Sequence, residues 1–178
     1  MLLTKRLILR NWKETDAKDL YFLASNVKIS KFCGFKRHSS EKESLFVIKN
    51  ILNKPCNFAV LKREDETLIG CVSFKDFSES FLAKSADEAE VGYWIGEKFW
   101  MRGYAFEALK KLIEFGFSKL KLKKIWASVS EENFKSFNLL KKLGFCYFSS
   151  QDIYFKAIDE KVFSKILFLN CERWVHSN

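Results

Sequence analysis

The chain has 178 residues, of which 48% are hydrophobic and 30% are charged, and its formal net charge is +9. This length fits a single domain over 1–178, and the apolar fraction is too high for a disordered protein. No apolar stretch approaches the roughly 18 residues of a membrane span. Because Lys5, Arg6 and Arg10 interrupt the apolar start, we expect no signal peptide, a cytoplasmic location and no membrane partner.

The first half of the chain alternates short strands and helical stretches. Runs of apolar and β-branched residues predict three strands, at Leu7–Arg10, Asn57–Lys62 and Thr67–Phe74. Apolar spacings of three and four residues predict a helix that begins with Asp16 as its N-cap and a second helix after Ser40.

The second half begins with a polar loop and a strand at Glu90–Ile95. An unbroken apolar stripe then predicts an amphipathic helix. Its members are Ala105, Ala108, Leu109, Leu112, Ile113, Gly116, Phe117 and Leu120. A strand at Ile125–Val129 and a helix from about Asn133 to Leu143 follow, and Gly144 ends that helix. Two more strands, at Cys146–Phe148 and Val162–Asn170, complete an α/β order of elements.

A turn with small residues joins the Glu90–Ile95 strand to the amphipathic helix. Gly103 and Ala105 lie where the backbone enters the helix, so the first N–H groups of the helix are open. Such groups, reinforced by the helix dipole, bind phosphate, and a diphosphate is a reasonable ligand. The alternative is plain turn geometry, because glycine is common before a helix.

The sequence gives less support to other phosphate-binding motifs, to an RNA-binding strand, and to a disulfide framework or a zinc site. The phosphate-binding patterns GxxxxGK(S/T) and GxGxxG are absent. The segment Arg102–Phe106 matches the first five positions of an RRM-type RNA-binding strand, but the residues that follow keep helical spacing, so a nucleic-acid partner is not expected. Five scattered cysteines without a CxxC pair predict neither a disulfide framework nor a zinc site.

The residues around this turn resemble a known family. GNAT N-acetyltransferases carry an acetyl-CoA-binding loop of the form Q/R-x-x-G-x-G/A followed by a helix, which is similar to WMRGYAFEALKKLIEFGF. The nearest branch contains the ribosomal-protein N-terminal (alanine/serine) acetyltransferases, in which Trp often takes the first loop position. Further matches, in order, are TKRLILRNWKETDAKDL, LIGCVSF, EVGYWI and ENFKSFNLLKKLGF. The resemblance covers nearly the whole chain.

The resemblance implies a GNAT fold, with a mixed, mostly antiparallel sheet of about seven strands and helices on both faces. The fourth strand, Glu90–Ile95, would splay from the fifth strand, Ile125–Val129, and leave a V-shaped cleft for acetyl-CoA. The pantetheine arm would pair with the backbone of Trp94 and Ile95. Asn133 would bond the same arm, or would simply cap its helix. The diphosphate would rest on the N–H groups of Met101, Arg102, Gly103, Tyr104 and Ala105.

The resemblance also implies that an amine attacks the thioester, without a metal. Glu90 is the candidate base, directly or through water, because strand alternation places it on one face with Glu88; a solvated edge charge is the alternative. Many GNAT enzymes have a Tyr before the K-L-G-F ending as the acid, and this chain has Leu140 there. Ser136 is the nearest hydroxyl that could protonate the thiolate, unless it is a helix-surface serine. Met101 is a second departure, since the branch usually has Gly and the longer side chain could crowd the diphosphate.

The implied function is an acyltransferase that moves an acetyl group from acetyl-CoA to a primary amine in a ternary complex, with a protein N-terminus as the acceptor. A small-molecule amine such as an amino sugar is the alternative, and the charge of +9 argues against a polyamine. A CoA-binding protein without catalysis and an RNA-binding protein are alternatives of another class. We expect a monomer or a homodimer, since an exposed edge strand would permit pairing.

Overall fold

The computed structural model describes residues 1–177, with side chains through Val175. These residues form eight strands and six α-helices. The strands are β1 (Leu2–Leu3), β2 (Leu7–Arg10), β3 (Asn57–Lys62), β4 (Leu68–Lys75), β5 (Glu88–Ile95), β6 (Lys124–Ser130), β7 (Cys146–Phe155) and β8 (Glu160–Asn170). The helices are α1 (Ala17–Ala24), α2 (Val27–Cys33), α3 (Glu41–Val47), α4 (Tyr104–Ser118), α5 (Phe134–Lys142) and α6 (Cys171–Ser177). Among the described residues, no helix combines the length and the apolarity needed to cross a bilayer.

Hydrogen-bonded neighbours in the sheet follow the order β1-β2-β3-β4-β5-β6-β8-β7. The β5–β6 pair is parallel, whereas β1–β2, β2–β3, β3–β4, β6–β8 and β7–β8 are antiparallel. The prediction of a mostly antiparallel mixed sheet is therefore confirmed. The sheet has eight strands rather than about seven, because the two-residue strand β1 is too short to leave a hydrophobic period in the sequence.

Two groups of residues are compact in themselves. The first comprises Met1–Ser73 and Tyr93–Leu112, and the second comprises Phe74–Gly92 and the chain from Ile113 onward. Strand β5 and helix α4 each contribute to both groups. The single domain over 1–178 stays a prediction.

The first unit corrects the expected start of α1. Asp16 does not cap this helix with its side chain. Its carboxylate, which is only 7% exposed, instead accepts two hydrogen bonds from Arg10, at 2.8 and 2.7 Å, and one from the Lys13 N–H at 2.9 Å. A buried carboxylate needs such partners, so this pair fixes the turn between β2 and α1.

Gly70 sits in the buried middle of β4, where the end of β5 approaches closely. A Cβ at this position would lie 2.2 Å from the carbonyl oxygen of Trp94 and 3.0 Å from the Cα of Ile95. Both obstacles are backbone atoms. The approach therefore requires glycine, and it helps to place the C-terminal half of β5.

The second unit is built on β6 and the long β7–β8 hairpin. Strand β8 lies between β6 and β7, and β7 runs to Phe155, seven residues beyond the predicted end. The ladder between β7 and β8 shifts register between Tyr147 and Ser149, so Phe148 is an extra residue in the outer strand. On one face, Leu82 packs with Ile153 and Ile166. The β7 pattern misled the prediction because both faces of this edge strand are largely exposed.

Candidate active site

The loop before α4 has the backbone of an anion-binding turn. Met101 has φ +61° and Gly103 has φ +79°, and α4 begins at Tyr104. Left-handed residues separated by one position turn successive N–H groups towards one concave side, as in anion-binding nests. Trp100 anchors the start of the loop, since its indole N–H donates to the carbonyl of Ile95 at 2.5 Å.

Arg6 fixes the direction of these peptide groups. Its guanidinium donates to the Arg102 carbonyl at 3.0 Å and lies 4.7 Å from the centroid of the Tyr104 ring. In a trans peptide the N–H points opposite to the carbonyl, so the Gly103 N–H faces away from Arg6. Glu107 in turn holds Arg6, accepting from its Nε at 2.7 Å and from its backbone N–H at 2.8 Å.

The surroundings of the loop suit a phosphate-bearing ligand. A pocket of about 440 Å³ borders Tyr104 and is lined by Lys5, Arg6, Lys62 and Arg63, with Glu64 as its single acid. At Gly103 a Cβ would lie 3.4 Å from the Arg6 guanidinium, so a large side chain there would displace the group that holds the Arg102 carbonyl. Arg6 is paired with Glu107 and Lys62 with Asp65, so Lys5 and Arg63 are the cations that favour an anionic group beside the loop. The residues present therefore fit a diphosphate.

The Met101 side chain does not fill this loop, because the residue is 86% exposed. Its left-handed backbone does carry strain, of about 1–2 kcal/mol for a residue other than glycine. Met101→Gly should relieve that strain while losing about 0.5–1 kcal/mol to the freer unfolded chain. We expect a net gain of up to about 1 kcal/mol in the free energy of unfolding, measured by urea denaturation.

The neighbouring position supplies a matched control for this loop variant. Arg102 is not among the residues with positive φ. Arg102→Gly therefore loses chain entropy without relieving strain and should lower stability. If Met101→Gly were destabilised as much as Arg102→Gly, the left-handed strain at Met101 would be absent.

The stability that Glu107 contributes through its hydrogen bonds to Arg6 and Thr4 depends on pH. Burial alone would raise the pKa of Glu107, but hydrogen bonds from Thr4 and from the backbone and side chain of Arg6 lower that pKa overall. Because the folded pKa is depressed, the stabilisation is complete above the unfolded value of about 4.3 and disappears as the pH falls through the folded pKa. The sequence pattern gave no sign of this cluster, whose partners are 101 and 103 residues from Glu107.

Glu107→Gln should therefore destabilise the protein by about 1–3 kcal/mol at neutral pH, and the difference from wild type should shrink as the pH falls below about 4.3. Urea unfolding at a series of pH values measures both quantities. Glu160→Gln, at an exposed site, is the control. A Glu107→Gln deficit that stays constant through this pH range would contradict the assignment.

Glu90 is buried and has both carboxylate oxygens occupied. It is 9% exposed and accepts hydrogen bonds from the hydroxyls of Ser80, at 2.8 Å, and Ser128, at 2.9 Å. The alternative of a solvated edge charge is therefore wrong. Ser128 keeps acceptor capacity on its oxygen while it donates to Glu90, so it can pass a proton to the carboxylate. The residue pattern did not indicate Ser128 or Ser80 as partners of Glu90. The parallel pairing of Glu90 with Trp126 is the signal that points to Ser128, which lies two residues further along β6 on the same face.

Glu88 lies on the same face and has a different set of partners. Burial raises its pKa, but the indole of Trp126 at 2.9 Å, the backbone N–H of Lys84 at 3.0 Å and the Lys124 ammonium at 3.5 Å outweigh burial and lower that pKa. The two carboxylates thus share a face, as predicted. Each also ties β6 to the segment that precedes β5.

The other predicted residues lie at the ends of β5 and α5. Ile95 is buried, and its carbonyl is already used by Trp100, so an added chain would pair with other backbone groups there. Asn133 caps α5, because its Oδ1 accepts from the Ser136 N–H at 3.1 Å. Leu140 is fully buried, which explains how the usual Tyr position can be filled by a core residue.

Trp94, Ile95 and the loop from Met101 to Ala105 belong to the first unit, where Trp94 packs against Phe35 with ring centroids 6.1 Å apart. Glu90, Asn133 and Ser136 belong to the second unit. Among the described residues, no group of three or more His, Cys, Asp or Glu is placed to hold a metal ion.

Comparisons with known proteins agree with this architecture. Residues 6–146 match the family model described as an acetyltransferase (GNAT) domain. The uncharacterized N-acetyltransferase YoaA of Bacillus subtilis (strain 168) is 31% identical over 150 residues, which is 82% of each chain. A structure from Vibrio cholerae assigned as a ribosomal-protein-serine acetyltransferase is 25% identical, with a TM-score of 0.77 over 95% of this chain and 96% of the other. The spermidine N-acetyltransferase of Vibrio cholerae, in complex with CoA and spermine, is 20% identical, with a TM-score of 0.78 over 97% and 99% of the chains.

Proposed function

Since the chain belongs to the GNAT acetyltransferase family and is an acyltransferase, we propose that it transfers the acetyl group of acetyl-CoA directly to a primary amine, with a protein N-terminus as the acceptor. The observation that carries the proposal is the loop with left-handed Met101 and Gly103, whose Arg102 carbonyl is held back by Arg6. That arrangement, beside a basic pocket, fits the diphosphate of acetyl-CoA. Family membership sets aside the interpretation as a protein without catalysis.

In this proposal, the residues from Met101 to Ala105 bind the diphosphate through their N–H groups, and the backbone around Trp94 and Ile95 aligns the pantetheine arm. Asn133 has its oxygen committed to the helix cap, and its amide N–H₂ remains to donate to that arm. Acetyl-CoA supplies the activated acyl group. The protein supplies position and a path for the proton.

The amine nitrogen forms its bond to the carbonyl carbon, and the carbon–sulfur bond breaks with its electron pair moving to sulfur. The proton that the amine loses passes to the Ser128 oxygen while the Ser128 hydroxyl proton moves to Glu90, which ends protonated. Ser136 is the proposed donor of the proton that converts the thiolate to the CoA thiol, and it regains a proton from water while Glu90 releases its own to solvent. Burial raises the pKa of Cys71 to about 12, so this thiol supplies no thiolate for an acyl-enzyme route at neutral pH.

A protein N-terminus is favoured over a polyamine on three grounds. The neighbour assigned as a ribosomal-protein-serine acetyltransferase has the higher identity of the two Vibrio cholerae structures, and a surface of +9 repels a polycation. An α-amino group, with a pKa of about 7.7–8.0, also loses its proton more easily than a lysine-like amine at about 10.4. A small-molecule amine is the second candidate. We further propose a cytoplasmic protein that is a monomer or pairs through its exposed edge strand β7.

Thermal unfolding with and without acetyl-CoA, with NAD and a short RNA as control ligands, tests the proposal. At 100 times its dissociation constant, a ligand adds about 2.7 kcal/mol, or roughly 5–10 °C for a chain of this size. We expect that shift with acetyl-CoA alone, followed by release of CoA thiol when peptides are added. No shift at saturating acetyl-CoA would contradict the proposal.

Gly103→Trp should abolish the acetyl-CoA shift, because the new side chain would displace the Arg6 guanidinium that holds the Arg102 carbonyl and because the left-handed backbone resists any side chain. Gly34→Trp is the matched control, since Gly34 ends α2 in the same left-handed conformation, at φ +64°. Normal binding by Gly103→Trp would mean that the diphosphate lies elsewhere.

A further inference from the structure

An aromatic pocket of about 380 Å³ lies in the second unit, on the face of the sheet that carries Glu88 and Glu90. Its walls include Phe81, Trp126, Phe148, Gln151 and Lys84. Phe81 is 63% exposed and Phe148 is 61% exposed, which is unusual for two large apolar rings on one pocket. Exposed aromatic walls around a concavity mark a site that an apolar group covers.

The pocket is preformed. The irregular register at Phe148 turns this ring onto Trp126, edge to face, with centroids 5.3 Å apart. Trp126 is also held by Glu88, to which its indole N–H donates at 2.9 Å. Glu88 also accepts from the backbone of Lys84 at 3.0 Å, which fixes the segment that carries Phe81. Little ordering is therefore left for a ligand to impose.

The pocket adjoins the proposed base. Glu90 and Trp126 are direct partners in the β5–β6 ladder. Ser80, whose hydroxyl donates to Glu90, accepts from the N–H of Leu82, another residue of the pocket wall. A group bound against Trp126 would therefore lie on the strand next to Glu90, the carboxylate that takes the proton in the proposed reaction.

The charges around the rings select against cations. The Lys124 ammonium already lies 5.0 Å from the centroid of Trp126, and the Lys84 ammonium lies 5.3 Å from the centroid of Phe81. Glu88 is paired with Lys124. A third ammonium in the pocket would meet two like charges, and no carboxylate is among the residues that line it. A neutral ring or branched alkyl group would meet complementary apolar faces.

We propose that this pocket receives the group next to the amine of the acceptor, and that the enzyme therefore prefers acceptors whose group is aromatic or bulky and apolar, neutral or anionic, over small groups and over polyamines. This inference rests on the proposed function. It specifies a substrate class for the same active site, with Phe81, Trp126 and Phe148 as the residues that determine specificity.

Acetylation of peptides that differ only in their first residue, Phe or Ala, tests the proposal, with spermidine as a third acceptor. We expect kcat/KM for the Phe peptide to exceed that for the Ala peptide by about tenfold or more, and spermidine to be poorest. Phe148→Ala and Phe81→Ala should each remove most of the preference. Phe163→Ala, an exposed aromatic of the same hairpin that pairs with Asp152 rather than lining the pocket, should keep it.

A preference for the Ala peptide or for spermidine, or a Phe preference that survives both pocket variants, would overturn the inference while acetyl transfer itself would stand. If no amine is acetylated, the proposed function fails. Whether the pocket binds an aromatic group is then tested by a separate binding measurement. In saturation-transfer NMR without acetyl-CoA, the ring protons of phenylalaninamide should receive signal from wild type and from Phe163→Ala, and not from Phe148→Ala. Equal transfer from all three would contradict the pocket.

Discussion

Gly70→Ala should destabilise the protein by more than about 3 kcal/mol, or prevent folding, because the added methyl group has nowhere to go. Its carbon would lie 2.2 Å from the Trp94 carbonyl oxygen and 2.8 Å from Cδ1 of Ile95. A backbone oxygen cannot rotate aside as a side chain can. The end of β5 would have to move away from β4, with loss of buried contacts along both strands. Urea unfolding followed by circular dichroism, or the soluble yield if no folded protein forms, measures the effect.

Gly96→Ala is the matched control, one residue beyond β5. A Cβ there would lie 2.7 Å from Cδ2 of Leu23, which is the far end of a flexible side chain. We expect less than half the loss seen at Gly70. A wild-type unfolding midpoint for Gly70→Ala would show that the strands are not as close as described.

Glu90→Gln should lower kcat/KM by about 10²- to 10⁴-fold while leaving the fold intact. An amide cannot take the proton of the attacking amine, but its oxygen can still accept from the Ser80 hydroxyl and its N–H₂ can donate to the Ser128 oxygen. The measurement is CoA thiol release under steady-state conditions. Acetyl-CoA binding, measured by thermal shift, should be unchanged, because the loss is confined to proton transfer.

Glu160→Gln removes an equal charge from an exposed site and is the control for Glu90→Gln. Ser128→Ala separates the relay from direct transfer, since it removes the hydroxyl that lies between the amine and the carboxylate. Full activity in Glu90→Gln would exclude this residue as the base. Full activity in Ser128→Ala together with a large loss in Glu90→Gln would leave Glu90 as a base that acts without the relay.

Periodicity predicted the elements whose two faces differ in polarity. Strands β2 and β3 lie where they were predicted, and so does α4 except at its end, because a continuous apolar face marks each of them. The predicted stripe of α4 included Leu120, but the helix ends at Ser118 and Leu120 is exposed. Strand β7 was predicted as only Cys146–Phe148, since an exposed edge strand has no apolar alternation to detect. The two-residue β1 was not predicted because it spans a single period of strand alternation, which is too short to form a pattern.

Some residues of the candidate site could be predicted from the sequence, and others could not. Local residues could be predicted: the loop at Gly103 shows in the sequence because its glycine is adjacent to the helix it serves. The partners that tune the site could not, because they come from distant positions. Glu107 is 101 residues from Arg6, and Ser128 is 38 residues from Glu90. The packing of α4 brings Glu107 to Arg6, and the pairing of β5 with β6 brings Ser128 to Glu90. No local pattern encodes either contact.

The strand order β6-β8-β7 has a consequence for synthesis on the ribosome. Strand β7 is made before β8, yet β8 supplies all the hydrogen bonds that attach β7 to the sheet. Until Glu160–Asn170 has emerged, β6 and β7 each expose an unpaired edge, and β7 carries Tyr147, Phe148 and Tyr154 outward. Completion of the second unit therefore waits for its last strand, and this interval is when the nascent chain most needs protection by a chaperone.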